Sequence, residues 1–108
     1  MAEPGSIEIV RAGFVLHLSD GSYEIPWPRV REVAAFKRDR FAVDDVCLSI
    51  QVGEKWFEVD EEMPGWAELL EGLERSLMGI VPWREWRPRV VHPPFARNEE
   101  IIFRRAEL

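Results

Sequence analysis

The segment DVCLSIQVGEKWFEVD, residues 45–60, decides the fold because it joins two alternating runs through a two-residue turn signal. Apolar side chains occupy every second position on both sides of the turn, at Val46, Leu48, Ile50, Val52, Phe57 and Val59. This period of two is typical of half-buried β-strands. Between the runs, Gly53-Glu54 has the Gly-X order of a type II′ turn. The segment therefore predicts an antiparallel hairpin.

Shorter strand signals precede this hairpin. Residues 6–11 form a short apolar run, and a second run alternates at Phe14, Leu16 and Leu18. The pair Asp20-Gly21 tolerates the positive φ values of a tight hairpin turn, so residues 22–25 should fold back antiparallel. These three strands are predicted to form a meander.

Prolines interrupt the strand pattern after this meander. Pro26 and Pro28 flank Trp27, and neither proline can donate to a sheet ladder, so a central strand is excluded there. We expect Trp27 to pack at one edge of the core. The spacing after Arg29 predicts one helical turn that leads into another strand.

A helix is predicted after the hairpin, over residues 64–78. Asp60, Glu61 and Glu62 precede Pro64, and both acidic side chains and proline favour a helix N-terminus. One face is apolar, at Trp66, Leu69, Leu70, Leu73 and Leu77, and should dock on the sheet. Gly72, on the outer side, costs about 1 kcal/mol relative to alanine and indicates that another group passes close by.

Residues 82–98, PWREWRPRVVHPPFARN, keep large aromatics, arginines and prolines together where the helical period has stopped. The prolines break helices and bias their predecessors to extended geometry, so we predict an extended strap over residues 82–108, with short edge strands at 89–92 and 100–104. The predicted fold is one α+β domain over residues 1–108. It is an antiparallel meander or partly closed barrel of about six strands in residues 6–60, covered by one amphipathic helix and followed by this Pro/Arg/Trp strap.

Two interpretations of the strap stay open. Its aromatic side chains can complete the core while the four arginines of residues 82–98 lie along the acidic helix, because residues 54–75 hold eight acids. Alternatively it is a docking surface, since tryptophan and arginine dominate protein interfaces. The candidate contact residues are Trp83, Trp86, Arg87, Phe95 and Arg97. The net charge of −6 disfavours nucleic acid as the partner.

Motifs for catalysis, metals and cofactors are not found in the sequence. His17 and His92 are the only histidines and have no zinc-ligand spacing, and no Gly-x-Ser-x-Gly turn or phosphate-binding glycine loop occurs. Cys47, the single cysteine, is interpreted as a small buried hydrophobe. A local salt-bridge cluster is expected between three basic residues, Lys37, Arg38 and Arg40, and the acidic residues among them, Asp39, Asp44 and Asp45. We predict no catalytic, metal-binding or cofactor-binding residues.

Location and membrane contact follow from similar patterns. The apolar runs fall far short of the ~20 residues that cross a bilayer, and the N-terminus lacks the pattern of a secretory signal. A cytoplasmic protein with no membrane partner is therefore expected.

Five short motifs distinguish the chain: Ile25-Pro26-Trp27, Ala35-Phe36-Lys37-Arg38-Asp39, Asp45-Val46-Cys47-Leu48, Met63-Pro64-Gly65-Trp66 and Pro93-Pro94-Phe95-Ala96-Arg97-Asn98. Through them, most of the chain resembles a group of small, functionally uncharacterised bacterial proteins. The resemblance implies no activity. The predicted meander and covering helix also look like the pleckstrin-homology or GRAM-like barrel, although a fold does not determine a function.

The function predicted first is a non-catalytic protein-interaction domain with an unknown protein partner. The alternative is an immunity or inhibitor protein, whose acidic face would neutralise a basic partner through Glu61, Glu68, Glu71 and Glu74. Self-association stays open.

Overall fold

The computed structural model describes residues 5–40, 43–92 and 98–106. It is an α+β fold in which seven strands form two antiparallel sheets beside two helices. The elements in chain order are β1 Ser6–Val10, β2 Gly13–Leu18, β3 Gly21–Pro26, a 3₁₀ turn Trp27–Arg29, β4 Val30–Arg40, β5 Val43–Val52, β6 Lys55–Asp60, α1 Trp66–Ser76, α2 Trp83–Val91 and β7 Glu99–Arg104.

The first sheet is the predicted meander, with strand order β1-β2-β3. Leu18 pairs with Gly21, so the turn consists of Ser19 and Asp20, one residue earlier than predicted. Gly21 is the first residue of β3 and has a φ of 143°, a value that favours glycine. Glycine is therefore needed where the strand begins rather than within the turn. Pro26 is tolerated at the end of β3 because β3 is an edge strand.

The second sheet has the order β6-β5-β4-β7, and its β5–β6 hairpin is the one predicted from residues 45–60. Val52 pairs with Lys55, which leaves Gly53 and Glu54 as the turn, and Gly53 has a φ of 61°. β7 pairs with β4 at the edge of the sheet, close to the edge strand expected over residues 100–104. β4 is the strand predicted after a helical turn, but that turn is placed wrongly: it is the 3₁₀ turn Trp27–Arg29, and the residues after Arg29 are already in β4.

Two parts of the predicted architecture are wrong. The sheets do not close into a barrel, because β3 and β4 lie in different sheets. Residues 83–91, predicted as extended, form the helix α2, which keeps Pro88 inside it. A proline in a helix interior destabilises the helix by about 3 kcal/mol, partly because it has no backbone N–H to donate. In α2 this loss concerns the one donor position of Pro88. Burial of Trp86 and Val90 against the core offsets that cost.

The core lies between the sheets and the helices. α1 covers it with Leu69, Leu73 and Leu77, all at most 2% exposed, as the helical period predicted. Gly72 has the predicted close neighbour, but on the buried side of α1 rather than the outer side. A Cβ at this position would lie 2.7 Å from Cη2 of Trp27, whose ring packs at the core edge against Phe14.

Gly65 fixes the start of α1, which begins two residues later than predicted. Its φ of 94° is left-handed, and a Cβ there would lie 2.0 Å from the carbonyl oxygen of Ile7. The Ile7 amide donates to the Pro64 carbonyl at 2.8 Å. Only glycine allows this approach of two backbones, which sets the position of Trp66 in the first turn of the helix.

Candidate interaction site

A groove of about 300 Å³ lies between α1 and α2. Its lining consists of Trp66, Ala67, Leu70 and Glu71 from α1 and Trp83, Trp86 and Arg87 from α2. Three of the five predicted contact residues, Trp83, Trp86 and Arg87, therefore meet at one site. The other two, Phe95 and Arg97, lie outside the described residues.

The α1 wall follows from helical spacing. Trp66 and Leu70 are four residues apart, as are Ala67 and Glu71, so they form two adjacent rows on one side of the helix. Trp66 and Leu70 are half-buried against the core, whereas Ala67 and Glu71 are exposed. The wall therefore changes from apolar to acidic between the base of the groove and its rim.

The α2 wall is held in place by backbone contacts at its start. The Trp83 amide donates to Oε2 of Glu74 at 2.9 Å, which joins the first turn of α2 to α1. One residue before Pro82, the Val81 amide donates to the Ile102 carbonyl in β7 at 2.9 Å. An acidic acceptor suits a helix N-terminus, where backbone donors have no partner within the helix.

The two tryptophans of α2 have different environments. Trp86 is 1% exposed and belongs to the core, whereas Trp83 is 39% exposed at the groove. The interpretation of this segment as core is therefore correct for Trp86. Trp83, one helical turn earlier, keeps a large aromatic surface in contact with solvent.

Charged side chains on the groove rim differ in whether they have a partner. Arg87 pairs with Glu61 at 3.5 Å, and the other carboxylate oxygen of Glu61 accepts the Val46 amide at 3.2 Å. Within the part of the chain that the structure describes, Glu71 has neither an ion pair nor a hydrogen bond. The strap arginines were expected to lie along the acidic helix, but Arg87 pairs with Glu61, which precedes α1, and Arg89 binds Glu100 of β7 through two contacts of 2.7 Å.

The C-terminal end of α2 is capped by Lys37 and Asn98, whose capping roles were not predicted from the sequence. Lys37 is 1% exposed, and its Nζ donates to the Val91 carbonyl at 2.8 Å. Asn98 Nδ2 donates to the carbonyls of Val90 at 3.0 Å and His92 at 2.8 Å. Cations and donors are favourable at a helix C-terminus. The sequence did contain a pattern that indicates burial of Lys37, because Lys37 continues the alternation of the buried residues Val33 and Ala35.

Of the predicted salt-bridge cluster, the structure shows the pair of Arg38 and Asp45 at 3.0 Å. Arg38 also contacts Asp60 at 3.6 Å and Glu58, whereas the side chains of Asp39, Arg40 and Asp44 lie outside the described part of the structure. Cys47 is buried as predicted, and burial raises the pKa of its thiol to about 12. At neutral pH this thiol is protonated and is a poor nucleophile. Its environment is therefore that of a packed side chain.

A second groove, of about 500 Å³, lies beside the edge strand β7 and is lined mostly by polar and charged residues. Its arginines are bound within the protein. Arg104 contacts Glu32 at 2.9 Å, and Arg105 donates to the Val30 carbonyl at 2.9 Å and to the Trp27 carbonyl at 3.2 Å. Because these donors already have acceptors, the smaller groove with its exposed tryptophan is the stronger candidate.

Comparisons with protein-family models, curated proteins and solved structures found no match for this chain. The resemblance to small bacterial proteins therefore stays a prediction. No helix among residues 5–40, 43–92 and 98–106 is both long and apolar enough to span a bilayer. In the same described part of the chain, no three His, Cys, Asp or Glu residues form a group that could hold a metal ion.

Proposed function

We propose that this chain is a non-catalytic protein-interaction domain that binds its partner in the groove between α1 and α2. The observation that carries the proposal is Trp83, a large aromatic side chain left 39% exposed at an apolar groove. Exposed aromatic and arginine side chains beside a pocket are typical anchors of protein interfaces. Trp83 and Arg87 are the proposed contacts, Trp86 is the floor, and Phe95 and Arg97 keep their proposed role as further contacts.

The rigidity of the groove supports this proposal. Both walls are helices, and the bond between the Trp83 amide and Glu74 together with the Arg87–Glu61 pair joins α2 to α1 and to the segment before it. A preformed groove loses little conformational entropy on binding, so more of the contact energy is available for affinity.

Tagged wild-type protein and single variants, used to capture partners from the native cell with quantification by mass spectrometry, test the proposal. Trp83→Ala and Arg87→Ala should lose the captured protein while their melting temperatures stay near that of the wild type. Trp56→Ala is the matched control, because Trp56 is 50% exposed on β6 and does not line the groove. Equal capture by Trp83→Ala and Trp56→Ala would contradict the proposal.

Trp86→Ala is unsuitable as a probe of binding because it perturbs the core. Truncation of a buried tryptophan typically costs about 3–5 kcal/mol, a large part of the stability of a domain. A loss of capture with this variant would report unfolding rather than a lost contact, so it serves as the control for destabilisation.

The alternative proposal is an immunity or inhibitor protein that binds a basic partner through an acidic face, formed by Glu61 before α1 and by Glu68, Glu71 and Glu74 on α1. Of its four acids, Glu61 and Glu74 are engaged with Arg87 and the Trp83 amide. Glu68 and Glu71 have no partner among the described residues and would make the contacts. Binding that weakens steeply with added salt supports this alternative, and binding that is insensitive to salt contradicts it.

The proposal includes a cytoplasmic location. Cys47 is the only cysteine, and it is buried, so the fold neither uses nor allows an internal disulfide. Proteins without disulfides are typical of reducing compartments. A fluorescent fusion in the native cell would test the location directly.

A further inference from the structure

We infer that the groove between α1 and α2 receives a positively charged side chain, Lys or Arg, from a segment of the partner protein. The ammonium or guanidinium group would lie at Glu71, and the aliphatic stem would lie along the tryptophans. The inference rests on the proposed function and adds the chemistry of the bound segment.

Charge complementarity at the rim carries the first step. Arg87 is already paired with Glu61 at 3.5 Å, whereas Glu71 is exposed and has no ion pair or hydrogen bond within the described residues. The charge left over in the lining is therefore the negative charge of Glu71. Glu68, three residues earlier on α1, is exposed as well, and the chain carries a net charge of −6. Such a field attracts basic segments and accelerates their association.

The apolar lining carries the second step. Trp66, Leu70, Trp83 and Trp86 contribute to the groove beside the carboxylate. Lys and Arg bury their aliphatic stems on apolar surface while the charged group stays near water. The face of a tryptophan ring also attracts cations. This lining suits one amphipathic basic side chain better than a purely apolar one, which would leave the Glu71 carboxylate without a partner.

The size of the groove limits what it can hold. Its volume of about 300 Å³ is at the lower end of the range for small-molecule pockets. A single extended side chain with its backbone fits this space, whereas a bulky cofactor does not. A partner with an acidic side chain would have to displace Glu61 from Arg87, so it is disfavoured.

Titration with short blocked peptides, followed by NMR of the tryptophan indole N–H signals, tests the inference. The probes are acetyl-Ala-Lys-Ala-amide, its arginine and trimethyl-lysine counterparts, and norleucine and glutamate versions, all at low ionic strength. The Trp66 and Trp83 signals, assigned with Trp→Phe variants, should shift with the basic peptides. The lysine peptide should bind up to about fivefold more tightly than the norleucine peptide, as expected for one exposed charge pair.

Two variants isolate the carboxylate. Glu71→Gln keeps the shape of the side chain and should remove the preference for lysine over norleucine. Glu68→Gln is the matched control, because it removes one charge from the same helix without touching the groove lining, and it should keep most of the preference. Added salt should reduce the preference in the wild type and leave Glu71→Gln unchanged.

The outcomes separate this inference from the proposed function. Equal binding of lysine and norleucine peptides, or a preference that survives Glu71→Gln, overturns the cation inference but leaves the groove as a contact surface. Tighter binding of the glutamate peptide also overturns it and identifies Arg87 as the charged contact. If no peptide shifts the Trp66 or Trp83 signals, the inference is rejected, while the capture experiment with Trp83→Ala still decides the proposed function.

Discussion

Replacing Gly65 by alanine tests the backbone contact that fixes the start of α1 against β1. Gly65 has a φ of 94°, and an added Cβ would lie 2.0 Å from the Ile7 carbonyl oxygen. Gly79→Ala is the matched control, since Gly79 has a similar φ of 86° and nothing within 4 Å of the added Cβ. Both variants place alanine in a left-handed backbone conformation, and both restrict the unfolded chain to the same extent. Only Gly65→Ala also introduces a steric clash with Ile7.

The expected magnitudes follow from these contacts. A left-handed conformation costs a non-glycine residue about 1–2 kcal/mol, and this cost applies to both variants. At Gly65 the clash forces α1 away from β1, which adds about 1–3 kcal/mol for overpacking. It also weakens the hydrogen bond between Ile7 and Pro64, worth about 1 kcal/mol. Gly65→Ala should therefore cost about 3–6 kcal/mol and Gly79→Ala about 1–2 kcal/mol.

Urea unfolding of both variants, followed by far-UV circular dichroism, measures these free energies. Thermal unfolding provides a second readout, in which each kcal/mol lowers the melting temperature by about 4 °C. Hydrogen exchange at the Ile7 amide should accelerate in Gly65→Ala and not in Gly79→Ala. Equal losses of stability in the two variants would refute the argument that the approach to Ile7 requires glycine.

Three further predictions concern other sites. Gly72→Ala should destabilise the wild type, because the added Cβ meets the Trp27 ring. In a Trp27→Leu background the same substitution should stabilise the protein by about 1 kcal/mol, because alanine has the higher helix propensity. A change in unfolding free energy of the same sign in both backgrounds would contradict this coupling. Cys47, with its pKa raised to about 12, should resist alkylation at about pH 8 in the folded protein and react after unfolding in urea, so rapid alkylation of the native state would contradict its burial. The Arg89 contacts lower the pKa of Glu100, so the pair stabilises the fold above the ordinary glutamate pKa and loses this effect as pH falls through the lowered value. Glu100→Gln should therefore cost about 0.5 kcal/mol near pH 7 and nothing in strong acid, as measured by urea unfolding across pH; a cost independent of pH would exclude the ion pair as its cause.

Local patterns were sufficient to predict the elements whose partners are close in sequence. The hairpin of residues 45–60 depends on alternation and on one glycine turn, and both are visible in a short window. The apolar face of α1 likewise appears at the period of 3.6 residues. The shifted turn at Ser19 shows the limit of such rules, because Gly21 fits a turn and a strand entry equally well from sequence alone.

Elements that depend on distant contacts could not be predicted in the same way. α2 contradicts its own propensity, since Pro88 disfavours a helix, and distant contacts compensate: the burial of Trp86 and Val90 and the capping donors of Lys37 and Asn98. The groove itself was not predicted. Trp83, Trp86 and Arg87 were proposed as contact residues, but on an extended strap rather than on a helix. Trp66 and Leu70 were assigned to the sheet-facing side of α1, because sequence does not show where a second helix will pack.

The edge position of β7 has a consequence for protein synthesis. Glu32 in β4 and Arg104 in β7 form a contact across 72 residues, and β7 completes the four-stranded sheet. A nascent chain that ends before residue 99 therefore carries a β4 edge with unpaired backbone groups, which is a known risk for aggregation. Ile102 and Phe103 are buried in the native core, so their packing can begin only after residues 99–104 leave the ribosome. We therefore expect this domain to complete its folding only once β7 has been synthesised, rather than progressively from its N-terminus.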